Sequence, residues 1–107
     1  MPDNQTGGKM KKLKGEDKMR MILAFNVKEL RLNYRGPWSQ GEVGRLAGLS
    51  PITICQIEKQ RAHPSVSTIK SLAKAFKVKF YDLIGSKMKG TEFRVRYGLR
   101  KVGNDNV

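Results

Sequence analysis

The sequence contains one cysteine, Cys55, and one histidine, His63, among 107 residues. No disulfide can close within a single chain. One thiol and one imidazole fall short of the four protein ligands of the usual structural zinc site. Neither a metal nor a cofactor is therefore expected. No apolar run approaches the ~20 residues of a membrane span. The opening MPDNQTGGKMKKLKGEDKM has no apolar core like that of a signal peptide. A cytosolic protein without a membrane partner is expected. Catalysis is not expected either, because no Ser/His/Asp set, paired carboxylates or Gly-rich phosphate loop is visible.

Acidic residues are also scarce. Nine Asp and Glu face 22 Lys and Arg, for a formal net charge of +13. The excess is spread along the chain: +3 over residues 1–21, +6 over 22–85 and +4 over 86–107. A basic domain with basic flanks suits a polyanionic partner, nucleic acid first. The alternative is a merely soluble basic protein.

The length fits one domain with appended segments. Residues 1–20 read as a flexible basic tail, with Lys9, Lys11, Lys12 and Lys14 as a potential DNA arm or simply a charged tail. Residues 21–85 carry helical periodicity. Leu23, Val27 and Leu30 lie a turn apart in a first helix, about 21–33. Arg35, Gly36 and Pro37 end it. Ser39 is a natural N-cap for a second helix, 40–47, and Gly48 suits the left-handed residue that closes it. Ser50 caps a third helix with Pro51 at its first position, where a missing N–H costs nothing. Ser65 caps a fourth, whose stripe is Val66, Ile69, Leu72, Ala73 and Phe76. A short fifth helix covers about 80–84. Residues 86–107 form a basic extension. Within it, Phe93, Val95 and Tyr97 alternate with Glu92, Arg94 and Arg96, a strand signal over 91–97. One strand needs a partner strand or a second chain. The fold class expected is all-α, a five-helix bundle with a short C-terminal β segment.

Residues 40–59 are the most informative. Two helices packed steeply across a tight turn need a small residue at the crossing, and Gly44 is there. They need a turn residue tolerant of positive φ, and Gly48 is there. They need apolar residues facing back, and Ile54 and Ile57 are there. This is the helix-turn-helix constellation. On a wheel of about 100° per residue, Ile57 and Glu58 share the side of Ile54. Ile52, Gln56 and Lys59 fall opposite, flanked by Thr53 and Cys55.

The stretch WSQGEVGRLAGLSPITICQIEKQRAHPSVSTIKSLAKAFKVKFYDLI, residues 38–84, resembles the helix-turn-helix family of phage repressor and Cro proteins, the XRE family. The resemblance implies that helix three enters the DNA major groove. Pro51, Ile52, Thr53 and Gln56 match positions that face bases or nearby phosphates. Gln40 matches a residue that contacts phosphate and braces helix three, and Lys59 and Arg61 match loop positions on phosphate. Arg31 and Glu58 match a pair tying helix one to helix three.

Several residues depart from the family pattern. The linker through 33–37 is about two residues longer than usual, Gly44 stands for the commoner alanine, and Gln60 replaces the usual glycine. Pro51 and Ile52 replace residues that are commonly polar. Gln56 suits adenine N6/N7, or is a solvated glutamine. Ile52 suits a thymine methyl, or is an incidental exposed residue. Cys55 reads as a small half-buried thiol.

The function implied is a sequence-specific DNA-binding transcriptional regulator, a repressor acting as a homodimer on double-stranded DNA at a palindromic operator. Its place would be the cytoplasm, on the nucleoid. The second reading is an antitoxin-like protein whose 86–107 segment holds a toxin or other partner by adding a strand to its sheet. A third, an RNA-binding protein, lacks an exposed aromatic sheet beyond Phe93 and Tyr97.

Overall fold

The computed structural model describes residues 15–89 and 91–98, and all the described regular structure is helical. The basic residues Lys9 to Lys14 and the final residues 99–107 lie outside the described residues.

The first helix, α1, spans Gly15–Glu29 and runs on as a π-helical turn, Leu30–Tyr34. It therefore starts earlier than Met21, and Gly15 to Arg20 belong to it rather than to a flexible tail. The reason is legible afterwards. No Pro or Gly interrupts residues 16–34, Asp17 suits the positive end of a helix, and it pairs with Arg20 one turn on. Its inward face buries Ile22, Leu23, Ala24, Val27 and Leu30. In the π-helical turn, the Arg35 amide donates to the Leu30 carbonyl five residues back, at 2.7 Å. The long linker to the next helix is thus partly wound into α1.

Helix α2 is Gln40–Ala47 and α3 is Pro51–Glu58. Ser39 opens α2 with a full capping box: its side chain accepts from the Glu42 amide, and the Glu42 carboxylate accepts from the Ser39 amide. Ser50 accepts from the Thr53 amide at the head of α3. Helix α4, Val66–Phe76, is capped in the same way by Ser65 and buries Ile69, Leu72, Ala73 and Phe76. Val66, placed on that stripe by periodicity, is instead 58% exposed at the first position of the helix. The guanidinium of Arg35 donates to the Phe76 carbonyl at 2.8 Å, satisfying an orphan group at the end of α4. Burial of that guanidinium lowers its pKa. Helix α5 is Phe80–Gly85, with Leu83 inside. One core runs through all five elements, and Trp38 stacks on Phe76 with ring centroids 5.9 Å apart.

Asn26 is the one buried polar residue of α1, fully enclosed. Its Nδ2 donates to the carbonyls of Leu83 at 2.7 Å and Ser86 at 2.9 Å. Its Oδ1 accepts from the Met88 amide at 2.6 Å. One side chain thereby satisfies three backbone groups in the last turn of α5 and just beyond it, and holds Met88 in the core. Nothing in the apolar periodicity marks this role.

Residues 91–97 are not a strand. They form a sixth helix, α6, Thr91–Tyr97. No strand partner exists among the described residues, and a lone strand would leave its backbone groups unpaired, whereas a helix pairs them internally. Two adjacent residues near its end reach α5. The Tyr97 hydroxyl donates to Asp82 and accepts from the Lys79 amide, and Arg96 meets the same carboxylate at 2.9 Å. Desolvation pushes the Asp82 carboxyl up. The hydrogen bonds and charge it receives outweigh that and leave its pKa below the ordinary value.

Candidate nucleic-acid interface

The turn between α2 and α3 is set by two glycines. Gly48 adopts φ 73°, the left-handed conformation that a side chain disfavours. Gly44 is buried where the chain doubles back, and its carbonyl accepts from the Leu49 amide at 2.7 Å. A Cβ on Gly44 would stand 2.4 Å from the Leu49 carbonyl oxygen. The bare backbone at this position therefore sets how closely α3 approaches α2.

Within α3, Ile54 and Ile57 are 0% and 2% exposed and fasten the helix to the core. Pro51 and Ile52 are exposed, while Thr53, Cys55 and Gln56 are half-buried. Ile52 retains 70% exposure. The Thr53 hydroxyl is drawn back to Ser50 Oγ at 2.9 Å. Lys59 and Arg61 are exposed just past the end of the helix.

That end has a defined geometry. The Arg61 amide donates to the Gln56 carbonyl at 2.8 Å and the Gln60 amide to that of Ile57 at 3.0 Å. This is the Schellman pattern, closed by Gln60 at φ 60° instead of by a glycine. The following loop is tied to α1, because Arg20 Nη1 donates to His63 Nδ1 at 2.8 Å.

Beneath this surface lies a polar network. Arg31, on the π-helical turn, donates from Nε to Glu58 Oε2 at 2.7 Å and from Nη2 to Oε1 at 2.8 Å. Its Nη1 donates to the Trp38 carbonyl at 3.0 Å. The two side chains are only 11% and 6% exposed. Gln40, at the head of α2, adds a third donor to the carboxylate: its Nε2 lies 3.1 Å from Glu58 Oε1. The carboxylate thus joins the first three helices. The resemblance has Gln40 bracing helix three, but neither its choice of Glu58 nor the link from Thr53 to Ser50 is visible in the sequence. Spacing shows which residues share a helix face, but not which neighbour a flexible side chain chooses.

Four further carboxylates are also engaged. Asp17 meets Arg20, Glu29 accepts from Asn33, Glu42 closes the capping box, and Asp82 meets Tyr97 and Arg96. Lys59, Arg61, Lys70 and Lys74 remain exposed, so the surface around α3 and α4 presents mainly positive charge. Among the described residues, no cluster of three or more His, Cys, Asp and Glu is arranged to hold a metal ion, and no helix is long and apolar enough to cross a membrane.

Comparison with known proteins agrees with this geometry. The helix-turn-helix family model HTH_3 matches residues 27–83, just over half of the chain. A protein of Neisseria meningitidis serogroup B, described as a hypothetical transcription factor, is 35% identical over 72 residues. The match spans 67% of this chain and 66% of that relative, just under two thirds of its length. The crystal structure of the hypothetical transcription factor NHTF from Neisseria superposes with a TM-score of 0.59 at 27% identity. That likeness covers 82% of this chain and 94% of the solved one. The chain belongs to the XRE-type helix-turn-helix family, that of the phage repressor and Cro proteins.

Proposed function

We propose that this protein is a sequence-specific DNA-binding transcriptional regulator, a repressor that inserts α3 into the major groove. The observation that carries the reading is the division of α3. Ile54 and Ile57 are spent on the core, while Pro51, Ile52 and Gln56 are left on a surface edged by Lys59 and Arg61. In this reading Pro51, Ile52, Thr53 and Gln56 face the bases. Gln56, which makes no side-chain hydrogen bond among the described residues, offers a donor and an acceptor to adenine N6 and N7. Gln40, Lys59, Arg61 and the capped helix N-termini meet phosphates and fix the register. The Arg31–Glu58 pair holds α3 and Gln40 in place for those contacts.

One short helix covers few base pairs, so two copies would read a palindromic operator. Tyr81 on α5 and Val95 on α6, 78% and 74% exposed, offer apolar surface for the second copy. The competing antitoxin-like reading drew on strand addition by residues 91–97. Their helical conformation removes that support.

The test separates base contacts from phosphate contacts. Gln56→Ala should weaken binding to the operator about tenfold while barely changing binding to random duplex. Lys59→Ala should weaken both alike and reduce the slope of log affinity against log salt by about one. Fluorescence anisotropy over a salt series measures all of these. Equal losses on both duplexes for both variants would show that the wrong face has been assigned.

A further inference from the structure

We infer that the tip of α3 reads a thymine through its C5 methyl group, with Ile52 as the residue that senses it. The inference rests on the DNA-binding reading above and goes beyond it to a base and an atom. Three observations lead there. First, Ile52 is 70% exposed on a short helix whose other isoleucines are buried, so its side chain contributes nothing to the core. Second, the neighbouring tip residues offer little polar competition. Pro51 has no N–H, and the Thr53 hydroxyl is turned back onto Ser50 at 2.9 Å. Third, no cation lies within the tip. Lys59, the next basic side chain, is seven residues on, about 10 Å along the axis at ~1.5 Å per residue. Pro51, Ile52 and Thr53 include none of the Arg, Lys, Asn or Gln side chains that make bidentate contacts with guanine or adenine; Gln56, one turn on, is the first residue of α3 that can. The group in the major groove that an isoleucine can meet is the thymine methyl, an apolar partner that needs no hydrogen bond.

The thymine methyl can be removed without touching any hydrogen-bonding group, by replacing thymine with uracil. A duplex selected from random sequence by the full-length protein would carry uracil at each thymine of the half-site in turn. Affinity would be measured for the wild-type protein and for Ile52→Ala. The expected result is one thymine per half-site whose uracil replacement costs the wild type about fourfold, the worth of one buried methyl. Ile52→Ala should bind the thymine and uracil forms of that site equally. Because Ile52 is exposed, the variant should melt like the wild type, and a thermal melt checks this.

If the wild type is indifferent to uracil at every position, or if Ile52→Ala keeps the discrimination, Ile52 does not read a methyl group and the DNA-binding reading still stands. If no sequence is enriched at all, the DNA-binding reading falls and this inference falls with it.

Discussion

Glu58→Ala is expected to lower the stability of the fold by about 3–5 kcal/mol, the usual cost of removing one partner from a buried ion pair. The size follows from what is left behind. Arg31 is 11% exposed and donates to both carboxylate oxygens, so its guanidinium would lose two charge-assisted bonds without reaching water. Gln40 would lose its bond as well. Small domains are stable by roughly 5–15 kcal/mol in total, so the variant would stand near the edge of unfolding. Trp38 is the only tryptophan and stacks on Phe76, which makes its fluorescence a direct reporter of the core. A urea titration followed at Trp38 should show the midpoint fall steeply. An unchanged midpoint would mean that the pair does not join the helices in solution. The loss is also expected to be specific to the network: Glu42→Ala, which removes one arm of an exposed capping box, should cost only about 1 kcal/mol.

The second large effect concerns two glycines of one helix. Gly44→Ala should destabilise by about 2 kcal/mol or more, whereas Gly41→Ala should stabilise by about 0.5–1 kcal/mol. Helix propensity alone predicts a gain at both sites. The difference is what each new methyl would meet. At Gly44 it would lie 2.4 Å from the Leu49 carbonyl oxygen, a backbone atom that can yield only if the whole turn moves. At Gly41 the nearest atoms are Ser39 Oγ at 3.6 Å and a Pro51 side-chain carbon at 3.9 Å, which is ordinary contact. Equal and favourable shifts for the two variants would show that α2 and α3 are not packed this closely. Because the turn aims α3, Gly44→Ala should also weaken DNA binding beyond what its stability loss explains.

These two sites show what sequence reasoning could and could not reach. Helices at 40–47 and about 51–59 were legible because each start carries a Ser cap and the first helix ends at a Gly; the structure ends the second of them at Glu58. The burial of Ile54 and Ile57 followed from spacing. The need for a small residue at position 44 was legible too, but not how closely the Leu49 carbonyl approaches it. The strand expected at 91–97 illustrates the opposite failure. Alternation of Phe93, Val95 and Tyr97 is a local pattern, and local pattern cannot tell whether a partner strand exists. The contacts of Arg96 and Tyr97 with Asp82 come from a residue far away in sequence. Asn26 escaped for the same reason, since its partners lie 57 to 62 residues away. Of the interface, the exposed residues of α3 were legible by periodicity. In the network beneath them, the pairing of Arg31 with Glu58 and a bracing role for Gln40 were implied by the family resemblance, but not that Gln40 reaches the Glu58 carboxylate.

On the function proposed, α3 reads DNA sequence in the major groove. Selection of tight binders from a pool of random duplexes, using the full-length protein at near-physiological salt, tests it most directly. The expected product is an enriched inverted repeat whose half-sites are centred about one helical turn apart, roughly 10 base pairs. It should be bound at least 10³-fold more tightly than random duplex, as is usual for specific sites. A pool that enriches no sequence, or one bound only through a salt-dependent affinity common to all duplexes, would contradict it.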